Sequence, residues 1–187
     1  MNAMTWFDHE TESIWSQPVG LSFRGPLQGT KLELLPFHLT TWSNWFENYP
    51  ESLVMINDVN RLGNTRQGFR PDYVVALVLD ETARAFYYED VAEVRVINDN
   101  LAGTPVVVWA EDNDFTAYVR QVGDQILTFT SGGDQIKDLE TGSVWDLRRG
   151  LAKEGPLAGE GLQPVPSLSS YDWAFEDFYP DGKFYQP

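Results

Sequence analysis

One stretch of this chain is written twice. Residues 8–50 align with residues 138–180 at a constant shift of 130 positions, without a gap. The shared residues include Asp8/Asp138, Glu10/Glu140, Thr11/Thr141, Ser13/Ser143, Trp15/Trp145, Gly25/Gly155, Pro26/Pro156, Leu27/Leu157, Gly29/Gly159 and Tyr49/Tyr179. Roughly fifteen identities fall in about forty-three aligned positions, where chance supplies about two or three. Two stretches so alike fold alike, so the duplication constrains architecture before any single residue does.

Each copy opens on a hairpin pattern. Short apolar runs flank a polar turn, 8–12 in the first copy and 138–142 in the second, and Trp15 and Trp145 sit on the returning strands. An Asp at the head of such a turn can accept a backbone N–H, and Gly142 tolerates positive φ. Gly-Pro-Leu-x-Gly follows in both copies, at 25–29 and 155–159, and reads as a sharp corner. Residues 31–35 are expected to be one of the adjoining strands.

A short helix is predicted next in each copy. Trp42, Trp45, Phe46 and Tyr49 recur at helical spacing, after a capping Thr40 or Thr41 and before Pro50. This spacing predicts a buried aromatic stripe. Its counterpart, 170–179, ends at Pro180 and is expected to bury Trp173 as well. Residues 52–56 read as a strand and 57–71 as a polar stretch. From 73 to 130, short apolar runs alternate with turns every eight to twelve residues, the pattern of antiparallel sheets. The predicted fold is therefore mainly β (α+β): antiparallel sheets or a partly open barrel built from an internal repeat, with one short helix per repeat. The expected division is a truncated first repeat over 1–56, a linker over 57–72 and a complete second repeat over 73–187, joined in one compact body.

Charge narrows the partners. With 28 acidic against 13 basic side chains the net charge is −15. Such a surface repels nucleic-acid phosphates and anionic membranes. No apolar run approaches the length of a membrane-spanning helix, so no membrane insertion is expected, and the first twelve residues lack the basic and apolar regions of an export signal. There is no cysteine, which removes disulfides, thiolate nucleophiles and thiolate metal sites. Nothing in the sequence calls for a cofactor.

The quoted motifs together resemble a known family. Asp-x-Glu-Thr-x-Ser-x-Trp, then Gly-Pro-Leu-x-Gly, Leu-x-x-x-Pro and an aromatic helix ending Tyr-Pro are similar to domain-of-unknown-function family 3179. Residues 83–86, 96–99 and 103–106 also fit its pattern. The resemblance implies a tandem-repeat protein, commonly exported or lipid-anchored, hence an extracytoplasmic setting. It implies no established activity. Set beside the family, the chain looks like a member lacking its first half-unit. The family's Cys-Pro-Leu-Cys segment is replaced here by Glu111-Asp112-Asn113-Asp114, and its His-Glu pair by Val94-Arg95.

Several residues are candidates for chemistry. Thr11/Ser13 and Thr141/Ser143 could supply nucleophiles if a histidine were near, but His9 and His38 have no counterparts in the second copy, and hydroxyls satisfying turn backbone explain both copies. Trp15 and Trp145 are core tryptophans or stacking surfaces for a ligand. The acidic run 111–114 could offer oxygen to calcium, but lacks the regular loop spacing and reads as a hairpin turn. Asn98 and Asp99 lie in a similar turn-like run. Arg84, on a strand between two alanines, requires an acidic partner if buried, and Asp99 is the expected one. The binding candidates are thus Arg84, Asn98, Asp99, Trp15 and Trp145. The expected function is a non-catalytic binding or scaffold module with an unknown ligand. The alternative is a carboxylate-based hydrolase acting on a carbohydrate or small polar substrate. A truncated repeat would leave an open sheet edge, which invites a homodimer.

Overall fold

The computed structural model describes residues 4–54 and 70–186. The first copy begins with three short strands, β1 (Thr5–Phe7), β2 (Ile14–Ser16) and β3 (Ser22–Arg24), paired in that order as an antiparallel sheet. Helix α1 (Trp42–Asn48) follows. The strand expected over 31–35 is reduced to a single bridge, Leu21 to Lys31. The chain leaving the Gly-Pro-Leu-x-Gly corner runs back beside 20–22 through Gly29 N–Ser22 O, Ser22 N–Thr30 O and Leu32 N–Gly20 O, and among the described residues no such bond continues past Leu32. Residues 52–54 form no strand, and the rest of that expected strand lies outside the described residues. So does most of the expected linker.

The second half is richer. A hairpin of β4 (Tyr73–Leu79) and β5 (Thr82–Tyr87) leads into α2 (Tyr88–Val94). Then come β6 (Val96–Leu101), β7 (Thr104–Glu111) and β8 (Asp114–Val119) as an antiparallel meander. Its β7–β8 connection is a two-residue turn with positive φ at Asp112 and Asn113, the twist that suits a hairpin. A small pair, β9 (Gln121–Val122) and β10 (Gln125–Ile126), precedes β11 (Phe129–Gly132), β12 (Gln135–Asp138), β13 (Val144–Asp146) and β14 (Leu151–Glu154). The last four form one sheet, in which β12–β14 repeat β1–β3 and β11 is an added fourth strand. The chain closes with β15 (Gln163–Pro164), β16 (Ser167–Tyr171), α3 (Asp172–Phe178) and β17 (Lys183–Phe184). Strand β16 pairs with β4, and β17 joins β5 in a parallel pairing.

The protein is thus mainly β, and its described residues form several antiparallel sheets, no closed barrel and three short helices. Helix α2 adds to the one helix per repeat expected from sequence. Its Glu89 and Asp90 fall in the first turn, where they favour the helix N-terminus, and Val91 is its only buried residue.

Three apolar clusters form the interior. One packs Val75, Leu77 and Phe86 of the first hairpin against Ile97, Val106, Val108 and Phe115 of the meander. A second packs the other meander face, with Val107, Trp109 and Tyr118, against Leu127, Phe129, Ile136, Trp145 and Leu162. A third seats Phe175 of α3 on Val74, Ala76, Ala83 and Ala85. The aromatic stripe expected to be buried on α1 is not: no residue of that helix is buried, and Trp42, Phe46 and Tyr49 are exposed. Trp173 is likewise exposed, because Ala174 and Phe175 face the sheet instead.

Candidate functional site: a polar cavity beside the second repeat

The duplicated motif builds structure. In the first copy Asp8 accepts from Thr11 N at 2.6 Å and from Trp15 Nε1 at 2.9 Å. In the second, Asp138 accepts from Thr141 N at 2.5 Å and from Trp145 Nε1 at 2.8 Å. The hydroxyls continue the network: Thr11 Oγ1 and Ser13 Oγ lie 2.7 Å apart, and Ser13 Oγ accepts from Leu27 N at 3.1 Å. Thr141, Ser143 and Leu157 repeat this at 2.7 and 3.0 Å. Each serine therefore staples its Gly-Pro-Leu corner to the hairpin. Both serines are fully buried and their partners are not histidines, so the geometry offers no activated nucleophile.

These hydrogen bonds also set the acids' titration. The Trp15 N–H, with the Thr11 N–H, holds Asp8 down to about 2. Burial pushes Asp138 up, but the Trp145 and Thr141 donors together outweigh it and keep it below the usual carboxylate range.

The other candidates join elements of the fold. Arg84 on β5 donates to Asp99 on β6 at 2.6 Å, the partner expected for it, and so ties the first hairpin to the meander. Asn98 donates to Phe129 O at 2.8 Å and accepts from Phe129 N at 2.8 Å, joining β6 to β11. Trp15 and Trp145 are both buried. Of the five, Trp145 borders a cavity.

That cavity holds about 330 Å³ and lies where α1, the meander and the second repeat meet. Helix α1 contributes Glu47 and Asn48. The meander side contributes Arg95, Trp109 and Glu111, and the second repeat Asp134, Asp146, Arg148 and Lys153. Charges are arranged in pairs. Arg95 Nη2 meets Glu111 at 2.8 Å, and Lys153 meets Asp146 at 3.2 Å. Arg148 forms an ion pair with the fully buried Asp114 and lies over the Trp109 ring, 5.7 Å from its centroid. Glu47 and Asp134 carry no ion pair among the described residues. Two wall residues also keep buried donors without partners, Trp109 Nε1 and Arg95 Nε. A buried donor left unpaired costs about 1–3 kcal/mol.

A smaller hollow of about 160 Å³ lies beside His38, Thr116, Tyr118 and Pro164. Burial lowers the His38 pKa, Asp114 opposes that and Arg148 adds to it. Among the described residues no three His, Asp or Glu side chains converge as metal ligands.

Sequence reasoning missed Arg95, Trp109, Arg148, Lys153, Glu47, Asp134 and Asp146. One signal was available. Asp146, Arg148 and Lys153 stand where the first copy has Ser16, Pro18 and Phe23, while the neighbouring Trp145, Gly150 and Gly155 are unchanged. The cavity wall is where the copies diverge.

Fold and cavity together define a mainly β protein in which one hairpin-and-corner motif occurs twice. The chain belongs to the family described as "Protein of unknown function (DUF3179)", which matches residues 1–74 and again residues 59–182. No curated protein and no solved structure matches it. Among the described residues no helix is long and apolar enough to cross a membrane.

Proposed function

We propose that this protein is a binding module and that the cavity at Arg95, Trp109 and Arg148 takes a small, strongly polar molecule, hydroxyl-rich or zwitterionic. The observation that carries this reading is the wall itself. Three cations, four carboxylates and an asparagine surround one hollow, with two unpaired buried donors in the same wall. Near-balanced charge suits a ligand that both donates and accepts, and disfavours an apolar one. The overall charge of −15 further disfavours a polyanion.

Thermal-shift titration with a panel of monosaccharides, polyols and free amino acids tests this. A binding compound raises the melting temperature in a concentration-dependent way. Asp134→Asn and Lys153→Met should weaken that response roughly tenfold or more, the loss of one charged hydrogen bond. A panel without any shift, or shifts indifferent to both substitutions, refutes the cavity as the site.

The second reading, a carboxylate-based hydrolase, draws on Glu47 and Asp134, the two wall acids free of ion pairs. It requires turnover that Glu47→Gln or Asp134→Asn abolishes while a substrate still binds. Binding without turnover in the wild-type protein leaves the binding module.

A further inference from the structure

Exposed apolar surface is distributed unequally between the copies. Of the 18 large hydrophobic side chains exposed among the described residues, 14 lie in 4–54. Aligned positions show the contrast directly. Trp6 is 46% exposed and Ile136 5%; Leu32 is 47% and Leu162 7%; Leu35 is 66% and Val165 1%. The backbone frame is the same in both, down to the Leu32 N–Gly20 O bond at 2.9 Å and the Leu162 N–Gly150 O bond at 2.8 Å. The local fold therefore does not cause the exposure.

What differs is the covering. Ile136 and Leu162 pack on Val107, Trp109, Tyr118, Leu127 and Phe129. Val165 packs on Val75, Leu77, Phe86 and Ile97. Phe175, the counterpart of the half-exposed Trp45, packs on Val74, Ala76, Ala83 and Ala85. Every one of these covering residues comes from the segment 73–137. Strand β12 also has β11 on its outer edge, with Phe129 set edge-on to Trp145 at 5.4 Å, whereas among the described residues no strand pairs with that edge of β1.

We infer that the apolar face of the first repeat is a docking surface for a polypeptide module built like residues 73–137 of this chain. Such a module places a strand on the free edge of β1, an apolar sheet face on Trp6 and Leu32, and a hairpin beneath α1. The interface inside the second repeat is the template, since the side chains that await cover occupy the positions it covers. A second copy of the chain is a poorer fit, because its own 73–137 segment already holds its own second repeat.

The test uses the intact chain and a version with a second copy of residues 70–137 fused ahead of the first repeat. The intact chain is expected to remain monomeric by light scattering, to bind the dye ANS and to exchange the β1 amides freely. In the fusion, dye binding should fall several-fold and β1 amide exchange slow by about tenfold or more, as paired strand edges do. Leu35→Asp with Trp6→Asp in the first repeat should reverse both changes while protection in 138–180 is kept. A fused module that stays unfolded, or that folds without protecting β1, overturns the inference. So does an intact chain that dimerises and loses dye binding, which would make a second copy the occupant.

Discussion

A serine hydroxyl and a glycine without a side chain act as one unit in each copy. A Cβ on Gly155 would meet Ser143 Cα at 2.7 Å and Oγ at 2.9 Å, and its φ is +95°. The corner must approach the hairpin this closely for Ser143 Oγ to receive the Leu157 N–H. Gly155→Ala should therefore destabilise by roughly 2–4 kcal/mol, combining positive-φ strain with overpacking. Gly142→Ala, where nothing lies within 4 Å, should lose only the φ term. Urea unfolding of the two variants compares them, and equal losses would refute the close-approach account. Asp8 makes the second residue-scale prediction. Its folded pKa of about 2 lies below the ordinary 3.8, so its stabilisation is present above about pH 4 and is lost as pH falls through about 2. The melting-temperature gap between wild type and Asp8→Asn should be full near pH 6 and close toward about pH 2. A gap independent of pH would show that the carboxylate charge does not matter.

At the scale of elements, equivalent helices hold their places by different chemistry. Helix α3 seats Phe175 on an apolar sheet. Helix α1 is held through its polar side instead: Asn44 donates to Asp114 at 3.0 Å, and Thr40 just before the helix also donates to Asp114. Asp114 is fully buried and receives Arg148 from the second repeat as well. Asp114→Ala leaves Arg148 without its counter-ion and frees both donors, and should cost roughly 3–5 kcal/mol. Amide exchange in Trp42–Asn48 should rise with it. A loss under about 1 kcal/mol, the worth of an exposed pair, would refute Asp114 as the anchor.

For the molecule as a whole, what could be read in advance followed from local signals. The duplicated hairpins, the corner, the Thr41 cap and the spans of α1 and α3 all leave periodic or turn-specific marks within a few residues. The Arg84–Asp99 pair was legible because a strand arginine between alanines has few ways to be satisfied. Helix α2 was missed because seven residues with one buried side chain show no period. The exposure of Trp42 and Phe46 was missed because spacing reports which face is apolar, not whether anything covers it. The cavity was missed because its wall is gathered from positions 47 to 153, and no neighbour along the chain announces it.

One strand of the meander has a role beyond its own sheet. The outer edge of β8 receives 163–165 of the second copy against 117–119, and then Leu39 of the first copy against Phe115. Both copies are moored end to end along a single rail. A shift in the register of that rail would carry both moorings with it.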